Sequence, residues 1–364
     1  MASTASTSLA RQLRLAVAGA AVATALTAAT AAAAPTPMGE ADASPRSPTP
    51  GFLLDRGRYT TLEVPGATVE TGAGGINNRG QIVGGARGGG VPDRGFLRDA
   101  RGRYTTFRYP GARSTLAQKI NDRGQITGLY STTTDDPRNG ADLAGFLRDP
   151  RGRYTRIAVP GALTTTAVGI NNRAQVVGQY QTPDRRFHGY VWERGRFTTI
   201  DAPGAADTTL FDINDRGQIV GARLEPDGTG RGFVLERGRY TFFAPPGAVL
   251  TLPFDINHRG QIVGFTASDF PPTAAQGFLL AKGARGPFTP ISVPGAPTTV
   301  AGGLNDRGQI TGAYNNPDAA PSPPPASTPS MGRMADRGRP PTEREAWGTA
   351  SARPRPLAGA RSGR

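Results

Sequence analysis

Apolar and polar positions alternate along this chain in short bursts, and the bursts recur in a fixed order. A Gly-aromatic-aliphatic triplet stands at Gly51-Phe52-Leu53, Gly95-Phe96-Leu97, Gly145-Phe146-Leu147, Gly189-Tyr190-Val191, Gly232-Phe233-Val234 and Gly277-Phe278-Leu279. A tight polar turn follows, such as Asp99-Ala100-Arg101-Gly102-Arg103, and then a Tyr/Phe-Thr-rich run such as Tyr104-Thr105-Thr106-Phe107. That run ends in Pro-Gly-Ala, which begins at Pro65, Pro110, Pro160, Pro203, Pro246 and Pro294. A Thr-rich stretch then leads into the signature Ile/Leu-Asn-x-Arg-Gly-Gln-Ile/Val-x-Gly. It is first seen at Ile76–Gly84 and starts again at Ile120, Ile170, Ile213, Ile256 and Leu304. Short β-branched and aromatic segments punctuated by Gly and Pro predict strands and turns, and no sustained 3.6-residue period argues for helix.

The four segments, here A to D, repeat six times at intervals of 44, 50, 43, 43 and 48 residues. A strand-rich unit of this period is too small to bury a core alone. The pattern predicts an all-β fold, a six-repeat β-propeller with about 45 residues and four strands per repeat; the alternative is an open β-solenoid. If the blade boundary falls between B and C, the N-terminal A–B pair completes the last blade beside Leu304–Tyr314. Asn77, Asn121, Asn171, Asn214, Asn257 and Asn305 read as structural turn residues, since Asn can bond the backbone two residues on and the following Gly can take positive φ. The third repeat carries Ala174 where the others have Gly, so its turn should be strained or reshaped.

The ends differ in composition. Residues 1–34 read as a signal peptide: Arg11 and Arg14, an Ala-rich run from Leu15, and Ala32-Ala33-Ala34 before Pro35. A retained membrane anchor is the alternative there, and no later stretch is apolar enough to span a bilayer. Residues 35–50 form a Pro/Ser-rich linker, 51–316 the repeat domain, and 317–364 a basic Pro/Arg-rich tail expected to be disordered. The chain has no cysteine, which excludes thiol catalysis, Cys-containing zinc sites and iron–sulfur clusters.

The combination of Gly-Phe-Leu, Pro-Gly-Ala-x-x-Thr and Ile-Asn-x-x-Gly-Gln-Ile-Val-Gly over residues 51–316 resembles the bacterial extracellular repeat proteins called the HAF family. Only His188-Gly189-Tyr190 keeps the name-giving histidine; the other units carry Pro50, Arg94, Ala144, Arg231 or Gln276 there. The resemblance implies secretion and a repeat architecture, not a chemistry.

The formal net charge is +14. In an antiparallel blade the A–B and C–D turns share one face, which gathers basic residues. These include a ring of Arg79, Arg123, Arg173, Arg216, Arg259 and Arg307. Acids gather in the D–A links of the other face: Asp93, Asp135, Asp136, Asp142, Asp184, Glu225, Asp227 and Asp269. Such a basic ring would attract an acidic glycan or other surface polyanion, such as a teichoic-type polymer or an anionic lipid surface, or a nucleic acid, by its field. The plainer alternative is a set of solvated turns, since Lys119 and Lys282 are the only lysines and Arg fills most basic positions. No motif for specific nucleic acid recognition is present.

Catalytic signatures are absent: no nucleophile elbow, phosphate loop or His cluster, and His188 and His258 occupy non-equivalent positions. Asp212 and Asp255 both lie two residues before the Asn of neighbouring units, where the others have Gly75, Lys119, Gly169 and Gly303. Adjacent blades would bring these carboxylates together to hold Ca2+ or act as an acid/base pair; otherwise they are solvent-facing strand residues. Asp135-Asp136 and Asp227-Gly228 are weaker calcium candidates, and no other cofactor is expected. The sequence thus predicts a secreted, extracellular, monomeric and non-catalytic binding or scaffold module, taking a polyanion or another protein as partner. A propeller-type enzyme acting on extracellular polysaccharide is the alternative.

Overall fold

The structure, a computed structural model, describes residues 49–135, 142–227, 229–270 and 272–316. The predicted signal peptide, the linker up to residue 48 and the tail from residue 317 lie outside the described residues.

Strands β1 (Gly51–Asp55) and β2 (Arg58–Leu62) open the domain. The first complete sheet holds β3 (Glu70–Ile76), β4 (Ile82–Gly88), β5 (Val91–Arg98) and β6 (Tyr104–Phe107). The second holds β7 (Ser114–Ile120), β8 (Ile126–Ser131), β9 (Ala144–Arg148) and β10 (Tyr154–Ile157). The third holds β11 (Thr164–Ile170), β12 (Val176–Gln181), β13 (Phe187–Glu193) and β14 (Arg196–Ile200). The fourth holds β15 (Asp207–Ile213), β16 (Ile219–Leu224), β17 (Gly230–Glu236) and β18 (Arg239–Phe243). The fifth holds β19 (Leu250–Ile256), β20 (Ile262–Ala267), β21 (Gln276–Leu280) and β22 (Phe288–Ile291). The chain closes with β23 (Thr299–Leu304) and β24 (Ile310–Tyr314). Each full sheet runs C-D-A-B in antiparallel order, so the blade boundary falls between B and C. The fourth and fifth sheets touch through one parallel pair, Gly230–Leu250.

The sixth sheet is assembled from both ends of the domain, in the order β2-β1-β24-β23. Gly51 pairs with Ala313 and Leu54 with Ile310. The ring is therefore closed, which sets aside the open solenoid.

Packing accounts for most of the repeated sequence. The A-strand aromatic of every blade meets the aromatic that opens its B strand edge-to-face, from Phe278–Phe288 at 5.0 Å to Phe96–Tyr104 at 5.7 Å. Each such pair contributes about 0.5–1.5 kcal/mol beyond its buried area. The Gly that ends the signature sits directly opposite that aromatic, as Gly84 does opposite Phe96. A Cβ on Gly84 would lie 1.7 Å from Gly72 O, so only glycine lets the strand and the ring approach this closely.

The Thr that follows Pro-Gly-Ala after two residues, or three in the first unit, ties the B–C link to the inner strand. Its hydroxyl accepts the backbone N–H of the residue before the turn proline: Val64 to Thr71, Tyr109 to Thr115, Val159 to Thr165, Ala202 to Thr208 and Val293 to Thr299. In the fifth blade that residue is Pro245, which has no N–H, and the buried hydroxyl of Thr251 is left without a partner. Ala174 adopts φ 62°, close to the 74–78° of the equivalent glycines, so the third turn keeps its shape at the cost of strain.

The C strands β3, β7, β11, β15, β19 and β23 are buried along their whole length and line the axis. Each is bulged against its D strand at the same place, between Ala73 and Gly75, Leu210 and Asp212, or Pro253 and Asp255 for example. A bulge re-aims the side chains that follow it.

Candidate functional site at the channel mouth

The six C–D turns meet around one end of the axis and build three tiers. The innermost tier is the asparagine ring. Each Asn side-chain carbonyl accepts two backbone N–H groups of its own turn, as Asn77 Oδ1 does from Arg79 and Gln81. Each side-chain amide donates to the Gln four residues on, as from Asn77 Nδ2 to Gln81 Oε1 at 2.9 Å. The same amide donates to the main-chain carbonyl of the next blade's Asn. The circuit runs Asn77, Asn121, Asn171, Asn214, Asn257, Asn305 and back to Asn77, with distances of 3.0–3.3 Å. The asparagines thus hold their own turns and also link every blade to the next.

The second tier is formed by the variable residue of the signature and was missed by the sequence reading. Around the ring it reads Asn78, Asp122, Asn172, Asp215, His258, Asp306: carboxylates in alternate blades, proton donors between them. Asn78 Nδ2 donates to Asp122 Oδ2 at 2.9 Å and to Asp306 Oδ2 at 2.7 Å. Asn172 Nδ2 bridges Asp122 and Asp215 in the same way, at 3.2 and 2.8 Å. His258 takes the third bridging place, with Nε2 2.8 Å from Asp215 Oδ2 and Nδ1 3.5 Å from Asp306 Oδ2. The alternation itself was a signal readable in the six aligned turns.

The third tier is the floor, one turn deeper. Lys119 and Asp255 belong to blades on opposite sides of the ring, and Lys119 reaches across to donate to Asp255 Oδ2 and Gly302 O, each at 2.5 Å. Asp212 lies beside them with no cation of its own; Ile256 N donates to its Oδ2 at 3.3 Å. Burial, and then the nearby Asp255, hold the Asp212 carboxyl well above the usual carboxylate range, against the opposing pull of Lys119. Gly75, Gly169 and Gly303 make room: a Cβ on Gly169 would lie 2.7 Å from Asp212 Oδ1. The solvent-facing alternative for Asp212 and Asp255 is thereby corrected, since both are buried, at 6% and 5% exposure. One residue earlier, Phe211 and Phe254 pack edge-to-face at 5.1 Å, where the polar lining gives way to apolar core. Among the described residues no group of three or more His, Asp or Glu could hold a metal ion. Of the weaker calcium candidates, Asp135 is paired with Arg113 and Asp227 accepts from Thr229, while Asp136 and Gly228 lie outside the described residues.

A cavity of ≈ 70 Å³ lies between the tiers, lined by the asparagines, the second-tier residues, Lys119, Asp212 and Asp255. Around its mouth Arg79, Arg123, Arg173, Arg216, Arg259 and Arg307 are all exposed. Their backbone N–H groups serve the turns, but among the described residues none of their guanidinium groups is ion-paired. The A–B turns add exposed arginines to the same face, and Arg56, Arg194 and Arg237 sit at φ 49–52° before a Gly. Asn or Gly is the usual occupant of such a position in a two-residue hairpin loop. The acids of the opposite face are consumed locally: Asp93 lies buried near Arg87, Asp142 accepts from Ser131, Thr132 and Thr133, and Glu225 pairs with Arg223. His188 is on the far side of its blade, hydrogen-bonded to Asp201 at 3.0 Å and apart from the mouth.

Against this geometry, comparison with solved structures is informative about architecture. A putative TolB from Agrobacterium tumefaciens is similar over 75% of this chain and 99% of its own, with a TM-score of 0.56 at 11% identity. The fold is a six-bladed β-propeller. Fainter likenesses reach the six-bladed lectin of Aleuria aurantia (TM-score 0.40, 13% identity, 61% of this chain and 77% of that one). They also reach the propeller domain of the Trilobed protease from Pyrococcus furiosus (TM-score 0.40, 9% identity, 64% and 76%). No protein-family model matches the chain, and no curated protein does either. No helix among the described residues is long and apolar enough to cross a membrane.

Proposed function

We propose that this β-propeller is a secreted, non-catalytic binding or scaffold module, working at the cell surface or outside the cell, whose arginine-ringed face takes a polyanion such as an acidic glycan. One observation carries the reading. The fold uses the Asn, the Gln, the aliphatic and the closing Gly side positions of the signature, yet the Arg side chain is used by none of these contacts and is Arg in all six turns. Six unpaired guanidinium groups around one mouth create a field that concentrates anions and offers forked donors to carboxylate, sulfate or phosphate. The arginines at positive φ support the same reading, because basic residues stand there despite a backbone cost of roughly 1 kcal/mol. Secretion is supported by the N-terminal segment and by the resemblance to extracellular repeat proteins. A polysaccharide-cleaving site at Asp212 and Asp255 is not favoured, since both carboxyls are buried and Asp255 is held by Lys119.

The test is retention on heparin and anionic-glycan columns. Replacing Arg79, Arg123 and Arg173 with Gln should weaken retention about tenfold and flatten its salt dependence, with each charge contact on the order of 0.5–1 kcal/mol. Unchanged retention would remove the basic face from the account.

A further inference from the structure

The mouth is not uniformly basic; its charge is concentric. Outside stand the exposed guanidinium groups. Inside stand Asp122, Asp215 and Asp306 in alternate blades, and beneath them Asp212 and Asp255 with one lysine between them. We propose that the anionic group recognised by the rim carries a short primary-ammonium arm, and that this arm enters the axial cup, as in an aminoalkyl phosphate. The proposal rests on the reading of the rim as an anion-binding face.

Several features select this cation. Two of the three bridges between the second-tier carboxylates are the amides of Asn78 and Asn172, which donate hydrogen bonds but bring no charge; the third is His258, which stands between Asp215 and Asp306 and brings charge only when protonated. Each of these carboxylates keeps acceptor capacity, since an ionised carboxylate offers about four lone-pair sites. The three stand in alternate blades of a six-bladed ring, so their arrangement is close to threefold. An alkylammonium has three N–H donors in matching threefold array. A directly bound metal does not suit the set, as no three of these groups come within metal-holding reach. A quaternary ammonium does not suit it either, because it has no N–H and no Trp, Tyr or Phe ring lines the cavity.

The floor supplies the independent observation. Asp212 is 6% exposed, lines the cavity, and takes its hydrogen bonds from backbone groups while the nearby lysine is engaged by Asp255. A buried carboxyl without a cation stays protonated in preference to ionising, which agrees with the upward push on Asp212. An incoming ammonium supplies the missing charge and favours the ionised form. Asp212 and Asp215 line the same cavity of ≈ 70 Å³, so an ammonium on a short arm meets the second tier and the floor within one space.

Calorimetric titration of the full-length protein with phosphoethanolamine, phosphocholine and inorganic phosphate tests the socket. Phosphoethanolamine should bind at least tenfold more tightly than the other two. Titrations in buffers of different ionisation enthalpy should show proton release on its binding, lost in Asp212→Asn together with the amine preference. Equal affinities of the wild-type protein for the three compounds, or no binding of phosphoethanolamine at millimolar concentration, would overturn the socket without involving any variant. Failure of heparin and phosphate to bind at all would instead overturn the anion-binding rim. Retention on vesicles containing phosphatidylethanolamine would support the socket with a lipid as source; binding confined to the soluble compound would support it with a soluble or polymer-borne source.

Discussion

At the residue scale, Asn121 shows why the signature reads as it does. It accepts the N–H groups of Arg123 and Gln125 and donates to Gln125 Oε1 and Asn171 O, so all four of its side-chain hydrogen-bonding sites are filled. Thr251 shows the opposite, a repeat residue stripped of its purpose because Pro245 lacks the N–H that other blades offer. Thr251→Val should therefore be neutral or stabilise by up to about 1 kcal/mol, whereas Thr165→Val should cost about 1–3 kcal/mol by orphaning Val159 N. Urea unfolding of the two variants reads this difference, and equal losses would contradict it. Asp212 makes a pH prediction. Its folded carboxyl titrates above the unfolded value of about 3.9, so in that window the folded state holds the extra proton and stability falls as pH rises. Asp212→Asn should gain in urea midpoint relative to the wild type from about pH 4 towards neutrality; a constant difference across that range would refute the assignment.

At the element scale, the C–D turn is both hairpin and clasp. The positive-φ glycine and the Asn carbonyl close the hairpin, which is local chemistry and readable from the residues alone. The amide half of the same Asn closes the gap to the next blade, which needs the neighbour in place. Asn121→Ala removes both halves and leaves buried N–H groups behind. A loss of about 3 kcal/mol or more is expected, read as a lowered melting temperature, and a variant within 1 kcal/mol or so of the wild type would show the clasp to be dispensable. The bulge in every C strand is likewise an element-scale device, turning Lys119, Asp212 and Asp255 to the axis.

At the scale of the whole molecule, stability depends on joining the first strands to the last. Phe52 is fully buried in the sixth blade and packs with Ile310 and Leu304, more than two hundred and fifty positions away in sequence. Deleting residues 51–62 should strip that blade to two strands and abolish a single cooperative melting transition. Retention of the wild-type transition would mean that closure contributes little. The concentric charge of the mouth belongs to this scale too, because no single turn contains both a rim and a floor.

Strands, turns and repeat number were all written locally in this chain, whereas the blade phase stood as a condition until the strand pairing decided it. Gly75, Gly169 and Gly303 are forced by the adjoining blade, but the Pro-Gly-Ala and Asn-x-Arg-Gly turns and the closing glycines such as Gly84 depend on neighbours within one unit. The ring of exposed arginines was readable for the same reason, since every turn of one type emerges on one face. The Lys119–Asp255 contact was not, although Lys119 had been aligned with Asp255: its partners are 136 positions apart and meet only because the ring places their blades opposite each other. Nor was the burial of Asp212, which follows from the bulge and the closed axis. The alternation of Asp with Asn and His acquires meaning only once consecutive turns are neighbours in a circle, where each bridging donor lies between two carboxylates.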